Sequence, residues 1–125
     1  MLFRSPRTKK PEAILQTAFH GWRQIAHPYI VSYSIPNEGK RPIVTAKRLK
    51  LMGLTSGVPD YFVAFPTKRY GGLYIEFKAP GKGLTPAQKD MIPKLQKSGY
   101  AVIVTKDLLE AIRLFSQYIK GNMDV

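Results

Sequence analysis

Two short runs of aromatic and β-branched residues, "YFVAF" at 61–65 and "LYIEFK" at 73–78, constrain the fold more than any other feature of this sequence. The seven residues between them, "PTKRYGG", predict that the runs form a β-hairpin with a loop, at the centre of a sheet. Side chains alternate between the faces of a strand, so Ile75 and Phe77 should face helices while Glu76 and Lys78 share the other face. The charged pair is either an ordinary salt bridge or part of a site.

The patterns elsewhere alternate between helix and strand. We predict helices over 11–26, 44–52, 86–98 and 107–119, and strands within 29–35, 61–65, 73–78 and 101–105. The order α, β, α, β, β, α, β, α is typical of an α/β three-layer sandwich, in which helices flank a central mixed β-sheet on both faces. The apolar run at 101–105 predicts a strand that is buried on both faces.

Residues at the helix boundaries support these predictions. Two pairs of residues have the spacing of a capping box, in which each side chain bonds to the other residue's backbone N–H. They are Thr85 with Gln88 and Asp107 with Glu110. Pro93 removes one backbone hydrogen bond and crowds the preceding turn, so we expect it to kink or split the third helix.

Net charge favours a polyanionic partner. The chain has 20 Lys and Arg against 8 Asp and Glu, a formal charge of +12, and no acid lies between Glu38 and Asp60. We expect nucleic acid, because neutralising phosphates suits such an excess of cations. A solvated basic surface that only aids solubility is the alternative, and an anionic membrane surface fits less well because no basic segment has a clean apolar stripe.

Length and residue types set the remaining limits. The 125 residues predict a single domain over 11–125, preceded by a basic N-terminal arm over 1–10. No apolar run reaches the roughly 18 residues of a membrane span, and the N-terminus lacks the apolar stretch of a secretory signal. The absence of cysteine excludes disulfides and thiolate metal sites and fits the cytoplasm.

Asp60 gives the charged pair a second interpretation. It opens the strand before the predicted hairpin loop and could lie across from Glu76, so that two carboxylates and Lys78 converge. Close carboxylates repel each other unless a cation lies between them, and oxygen ligands with room for water select Mg²⁺ or Mn²⁺. Such a site could activate water to attack a phosphodiester.

The chain has no cysteine and only two histidines, both on or beside the first helix, so schemes with a Cys or Ser nucleophile have little support.

These residues also carry a resemblance. "GVPDYFVAF" and "GGLYIEFKAPGKGLTPAQKDMIPKLQKSGYAVIVTKDLLEAI", with Glu12 and Gln16 in the first helix and the turn "PNEGKR", resemble the VRR-NUC (virus-type replication-repair nuclease) domain of the PD-(D/E)xK nuclease superfamily. The likeness runs from about Glu12 to Ile119, and it implies a restriction-endonuclease-like fold and a stand-alone phage or bacterial protein. One departure is Glu38, which stands where the family usually has a second glycine.

The resemblance implies roles for individual residues. Asp60 and Glu76 would bind the metal, Glu12 would approach it directly or through water, and Lys78 would be the catalytic lysine. Gln88 would support Lys78 or the substrate phosphate, with Gln16 assisting from the helix. Two of these residues have simpler alternatives, because Glu12 could only complement the helix dipole and Gln88 could only cap a helix.

The function that the resemblance implies is a Mg²⁺- or Mn²⁺-dependent endonuclease specific for DNA structure, with branched DNA such as Holliday junctions as substrate. Cutting a junction on both sides requires two active sites, so we expect a homodimer, in the cytoplasm of a bacterial or phage-infected cell. Two alternatives are a flap or single-strand nuclease of the same fold and a non-catalytic basic DNA-binding module. The candidate DNA contacts are Lys40, Arg41, Lys47, Arg48, Lys82 and Lys89.

Overall fold

The two β-type runs form an antiparallel pair at the centre of a four-stranded sheet. A computed structural model describes residues 10–36 and 43–123. In chain order its elements are α1 (Pro11–Ala26), β1 (Ser32–Ser34), α2 (Ile43–Leu51), β2 (Tyr61–Val63), β3 (Leu73–Phe77), α3 (Pro86–Lys97), β4 (Ala101–Thr105) and α4 (Leu108–Ile119). The sheet order is β1-β2-β3-β4, with antiparallel pairing except between β3 and β4, which are parallel. The predicted mixed α/β architecture is confirmed.

Alternation along β3 separates an apolar layer from a polar one. Ile75 and Phe77 are fully buried in the core, where α1 and α4 pack against the sheet. Phe19 of α1 lies at the centre of this layer, and its ring contacts those of Phe77 and Phe115 at centroid distances of 5.7 and 5.4 Å. Burial of these rings is the main force that holds α1 and α4 on this face.

The other face of the sheet is approached by α3, which forms the crossover between the parallel strands β3 and β4. Its first turn has the predicted capping box, since Thr85 Oγ1 accepts from the Gln88 backbone N–H and Gln88 Oε1 accepts from the Thr85 N–H. This start fixes the position of Gln88, which is buried. Glu76 lies on the same side of β3 as Gln88 and is in contact with it.

Strands β1 and β2 are shorter than predicted, with three residues each. Pairing continues past the strand ends through single hydrogen bonds, because the Ala64 N–H donates to the Val31 carbonyl and the Ile35 N–H to the Asp60 carbonyl. Before β1, Tyr29 and Val31 are exposed, and only Ile30 packs against the core. The predicted burial of 101–105 on both faces is wrong at Val104, which is 40% exposed.

Two helix predictions need correction. The helix α3 continues through Pro93, so the predicted split is wrong, whereas the predicted kink stays a prediction. Pro93 is exposed, so water can bond the carbonyl that the missing N–H leaves without a partner. Asp107 caps α4 by accepting from the Glu110 N–H, but Glu110 does not complete the capping box, because its carboxylate accepts from the Thr105 hydroxyl instead.

None of the helices in the described ranges has both the length and the apolar character to span a membrane. Most of the predicted basic arm and most of the turn at 36–42 lie outside the described residues.

Candidate active site

A tight loop before β2 places Asp60 beside β3. Gly57 has a φ of +87°, and a Cβ on it would lie 2.3 Å from the backbone oxygen of Ala87 in α3, so only glycine lets the loop pack this closely. Pro59 is fully buried in the same loop. At the end of the loop, the Asp60 backbone N–H donates to Glu76 Oε1 at 3.2 Å. The loop therefore holds Asp60 next to Glu76 through this hydrogen bond.

Glu76 and Gln88 are the most buried of the predicted site residues, and each has 3% of its surface exposed. Glu76 Oε2 accepts a hydrogen bond from Gln88 Nε2 at 2.9 Å and lies 3.6 Å from Lys78 Nζ. The carboxylate thus has an N–H donor on each oxygen and an ammonium group beside it. Such contacts hold it in one orientation.

The pKa of Glu76 is nevertheless raised, from 4.5 to about 7. Burial is the largest cause, and the negative charge of Asp60 is the second. Lys78 and the two hydrogen bonds lower the pKa but do not cancel these two effects. Negative charge is therefore costly at this position even with the lysine present, and another cation would make it less so.

The two acidic residues open into a common cavity of about 180 Å³, which we call the carboxylate cavity. It is lined by Glu12, Asp60, Glu76, Phe77, Lys78, Ala79, Lys82, Gly83 and Thr85. Within residues 10–36 and 43–123, no three His, Cys, Asp or Glu side chains are grouped closely enough to form a metal site on their own. Two carboxylates with room for water nonetheless fit a hard divalent ion, which often keeps several water ligands.

Glu12 reaches this cavity from the first turn of α1. This position is compatible with both interpretations of Glu12, since a carboxylate there complements the helix dipole and also lines the carboxylate cavity. Gln88 likewise has two functions at once, because it caps α3 and holds the Glu76 carboxylate. Gln16 does not line the carboxylate cavity and belongs to a neighbouring one.

A family model described as the VRR-NUC domain matches residues 10–106. The chain belongs to the VRR-NUC family. Its structure is similar to a solved structure described as "VRR_NUC domain protein", with a TM-score of 0.75, 30% sequence identity and 90% of each chain covered. No curated protein matches the sequence. The predicted family and fold are thus confirmed, and the chain carries a nuclease-type domain with DNA as its partner.

Four of the six predicted DNA contacts of this VRR-NUC domain can be placed. Lys82 is exposed at the rim of the carboxylate cavity. Lys89 is exposed on α3, and Lys47 and Arg48 are exposed on α2. Lys40 and Arg41 lie outside the described residues.

Sequence reasoning missed a second polar cluster, which we call the Ser32 network. Arg23 Nε donates to Ser32 Oγ at 2.7 Å, Ser32 Oγ bonds Tyr61 Oη at 2.6 Å, and Tyr61 Oη bonds His20 Nδ1 at 2.7 Å. The sequence does contain a signal for its surroundings. Glu12, Gln16, His20 and Gln24 recur every fourth residue of α1, which places polar side chains along one side of the helix.

Proposed function

We propose that the protein is a metal-dependent endonuclease that hydrolyses phosphodiester bonds in branched DNA such as Holliday junctions. The observation that carries the proposal is the buried Glu76 carboxylate, whose pKa is raised to about 7 by burial and by Asp60. Perturbed acids of this kind are typical of functional sites. Membership of a nuclease family and the charge of +12 support DNA as the substrate.

Asp60 and Glu76 would hold Mg²⁺ or Mn²⁺, and Glu12 would contact it directly or through water. When bound, such an ion activates water and neutralises charge on the attacked phosphate. Asp60 and Glu76 supply carboxylate oxygens, the ligand type that both ions prefer. Gln88 would keep Glu76 in its orientation, through the bond to Oε2.

Lys78 would stabilise the negative charge that develops on the phosphate during attack. Its ammonium lies in the carboxylate cavity, 3.6 Å from Glu76 Oε2, and its side chain is 12% exposed. Partial burial strengthens its interaction with a phosphate, since the surrounding medium screens charge less than water does. Water is the nucleophile in this scheme, and the new P–O bond forms as the bond to one sugar oxygen breaks.

A junction must be cut in two strands, so we propose that the protein acts as a homodimer with two equivalent sites. The exposed cations Lys82, Lys89, Lys47 and Arg48 would contact phosphates beyond the one that is cut. Their role is positioning, because phosphate contacts carry no sequence information. This fits recognition of DNA shape.

The test compares Lys78→Ala with the wild type on a four-way junction in Mg²⁺ or Mn²⁺. We expect cleavage to fall by about 100- to 1,000-fold, because a group that stabilises transition-state charge is lost. Binding of the same junction, measured by fluorescence anisotropy, should stay nearly unchanged. Lys120→Ala is the matched control, since Lys120 is exposed and lines a different cavity with the β2–β3 loop.

The cleavage pattern separates the alternatives. Paired symmetric cuts support a junction-resolving enzyme, whereas cuts confined to flaps or single strands indicate a flap or single-strand nuclease. Wild-type protein that binds DNA but cuts no branched, flapped or single-stranded substrate with either metal would be a non-catalytic DNA-binding module.

A further inference from the structure

A second cavity, of about 550 Å³, lies along α1, and we call it the α1 cavity. Its polar lining comes from α1, from β1 and from the first residue of β2, and comprises Gln16, Thr17, His20, Gln24, Ser34 and Tyr61. Chain neighbours connect the two cavities. Glu12 and Asp60 line the carboxylate cavity, and the residues that follow them, Ala13 and Tyr61, line the α1 cavity. The two cavities therefore share stretches of backbone in α1 and at the start of β2, and a DNA strand held at the first would pass near the second.

One wall of the α1 cavity is held rigidly by the Ser32 network. His20 is bonded to Tyr61 at 2.7 Å, and Tyr61 is bonded to the buried Ser32, which accepts from the buried Arg23. The His20 ring is also packed edge-on against the Tyr61 ring, with centroids 5.7 Å apart. A side chain fixed in this way can recognise a ligand without first being ordered, which reduces the entropic cost of binding.

Among the residues that the structure describes, none that lines the α1 cavity has a charged side chain, although the chain has a net charge of +12. Burial and the nearby Arg23 lower the pKa of His20, which favours the neutral form of its ring. Cations supply most of the binding energy for phosphates. Amides, hydroxyls and neutral imidazoles can bond phosphates as well, but they also bond the edges of bases and the oxygens of sugars. The cavity is thus suited to the neutral part of a nucleotide.

We infer that the α1 cavity binds one nucleoside of the cleaved DNA strand, near the phosphate that is cut, and that His20 and Gln24 contact its base. This inference rests on the proposed function. The volume lies within the roughly 300–1,000 Å³ of cavities that hold small organic ligands. The eight residues from Glu12 to His20 rise about 12 Å along α1. At about 3.4 Å per nucleotide, the bound nucleoside lies within about four nucleotides of the cut.

The experiment moves a single abasic residue along the strand, one nucleotide at a time, on both sides of the cut. Binding is measured by fluorescence anisotropy with the Lys78→Ala protein, so that no cleavage is needed. We expect one position within about four nucleotides of the cut to weaken binding by about tenfold, the size of one lost base contact. Adding His20→Ala and Gln24→Ala to this protein should abolish the sensitivity, and Gln96→Ala, an exposed helical glutamine on α3, should preserve it.

Each outcome decides a separate question. A flat abasic scan, or a sensitive position that persists in the double substitution, overturns the inference while leaving cleavage by the wild type intact. If the sensitive position disappears in the double substitution but the wild type cleaves no substrate, the nucleoside site is retained and the proposed function is rejected. Gln24→Ala alone guards against misfolding, because Gln24 is exposed. This single substitution should affect binding at the same abasic position, but to a smaller extent than the double substitution.

Discussion

The carboxylate cavity and the Ser32 network both bury a charged side chain, but they differ in how the charge is compensated. Arg23, 7% exposed, donates to the Ser32 hydroxyl and to the His27 carbonyl, so neutral oxygens accept its hydrogen bonds. Glu76, 3% exposed, accepts two N–H bonds and lies beside Lys78, yet burial and Asp60 raise its pKa to about 7. The Ser32 network is a structural support, whereas the carboxylate cavity keeps an electrostatic cost that a ligand can relieve.

This difference predicts that the stability of the protein depends on the protonation of Glu76 in the carboxylate cavity. The folded state raises the pKa of Glu76 from 4.5 to about 7, so between these values the folded chain keeps a proton that the unfolded chain has lost. The free energy of unfolding should therefore fall by about 3 kcal/mol as pH rises through this range in EDTA.

Urea unfolding of the wild type and Glu76→Gln, from about pH 4 to pH 8, checks this effect. The difference in unfolding free energy between the two proteins should change by about 3 kcal/mol across the range. Glu110→Gln, which removes a carboxylate outside the cavity, should keep the wild-type profile. Parallel profiles for the wild type and Glu76→Gln would contradict the raised pKa.

The second prediction concerns the loop that carries Asp60. Gly57→Ala should lower the unfolding free energy by about 2–4 kcal/mol, because it adds strain at a positive φ and places Cβ 2.3 Å from the Ala87 carbonyl oxygen. Gly53→Ala is matched to it, since Gly53 also has a positive φ but its Cβ would meet nothing within 4 Å. Thermal unfolding compares the two. Equal losses of stability would mean that the contact with α3 has no energetic role.

The third and smallest effect is expected in the Ser32 network. Ser32→Ala removes the oxygen that accepts from Arg23 Nε, and a buried donor without a partner should cost about 1–2 kcal/mol of unfolding free energy. Ser56→Ala, in an exposed loop, should change it by less than about 0.5 kcal/mol. A cost for Ser32→Ala as small as that of the control would show that water replaces the lost oxygen.

Local patterns in the sequence predict the features that depend on neighbouring residues. The hairpin followed from two β-type runs and a loop, and the start of α3 followed from the spacing of Thr85 and Gln88. The convergence of Asp60 and Glu76 could be anticipated because a hairpin brings the start of one strand close to the end of the other.

Contacts between distant segments could not be predicted in the same way. The Ser32 network joins α1, β1 and β2, and His20 and Tyr61 lie 41 positions apart in the sequence. The predicted capping box at Asp107 failed for a related reason, because Thr105 offers the Glu110 carboxylate a hydroxyl that competes with the backbone. Such competition depends on packing and not on spacing.

We propose above that Asp60 and Glu76 together bind a divalent ion. Titration of Mn²⁺ into the wild type and Asp60→Asn at pH 7.5, with free Mn²⁺ measured by electron paramagnetic resonance, tests it most directly. We expect the wild type to bind Mn²⁺ and Asp60→Asn to weaken binding by more than about tenfold. Asp90→Asn, which changes an exposed aspartate paired with Lys94, should bind as the wild type does. Equal Mn²⁺ binding by the wild type and Asp60→Asn, or no binding by either, would contradict the claim.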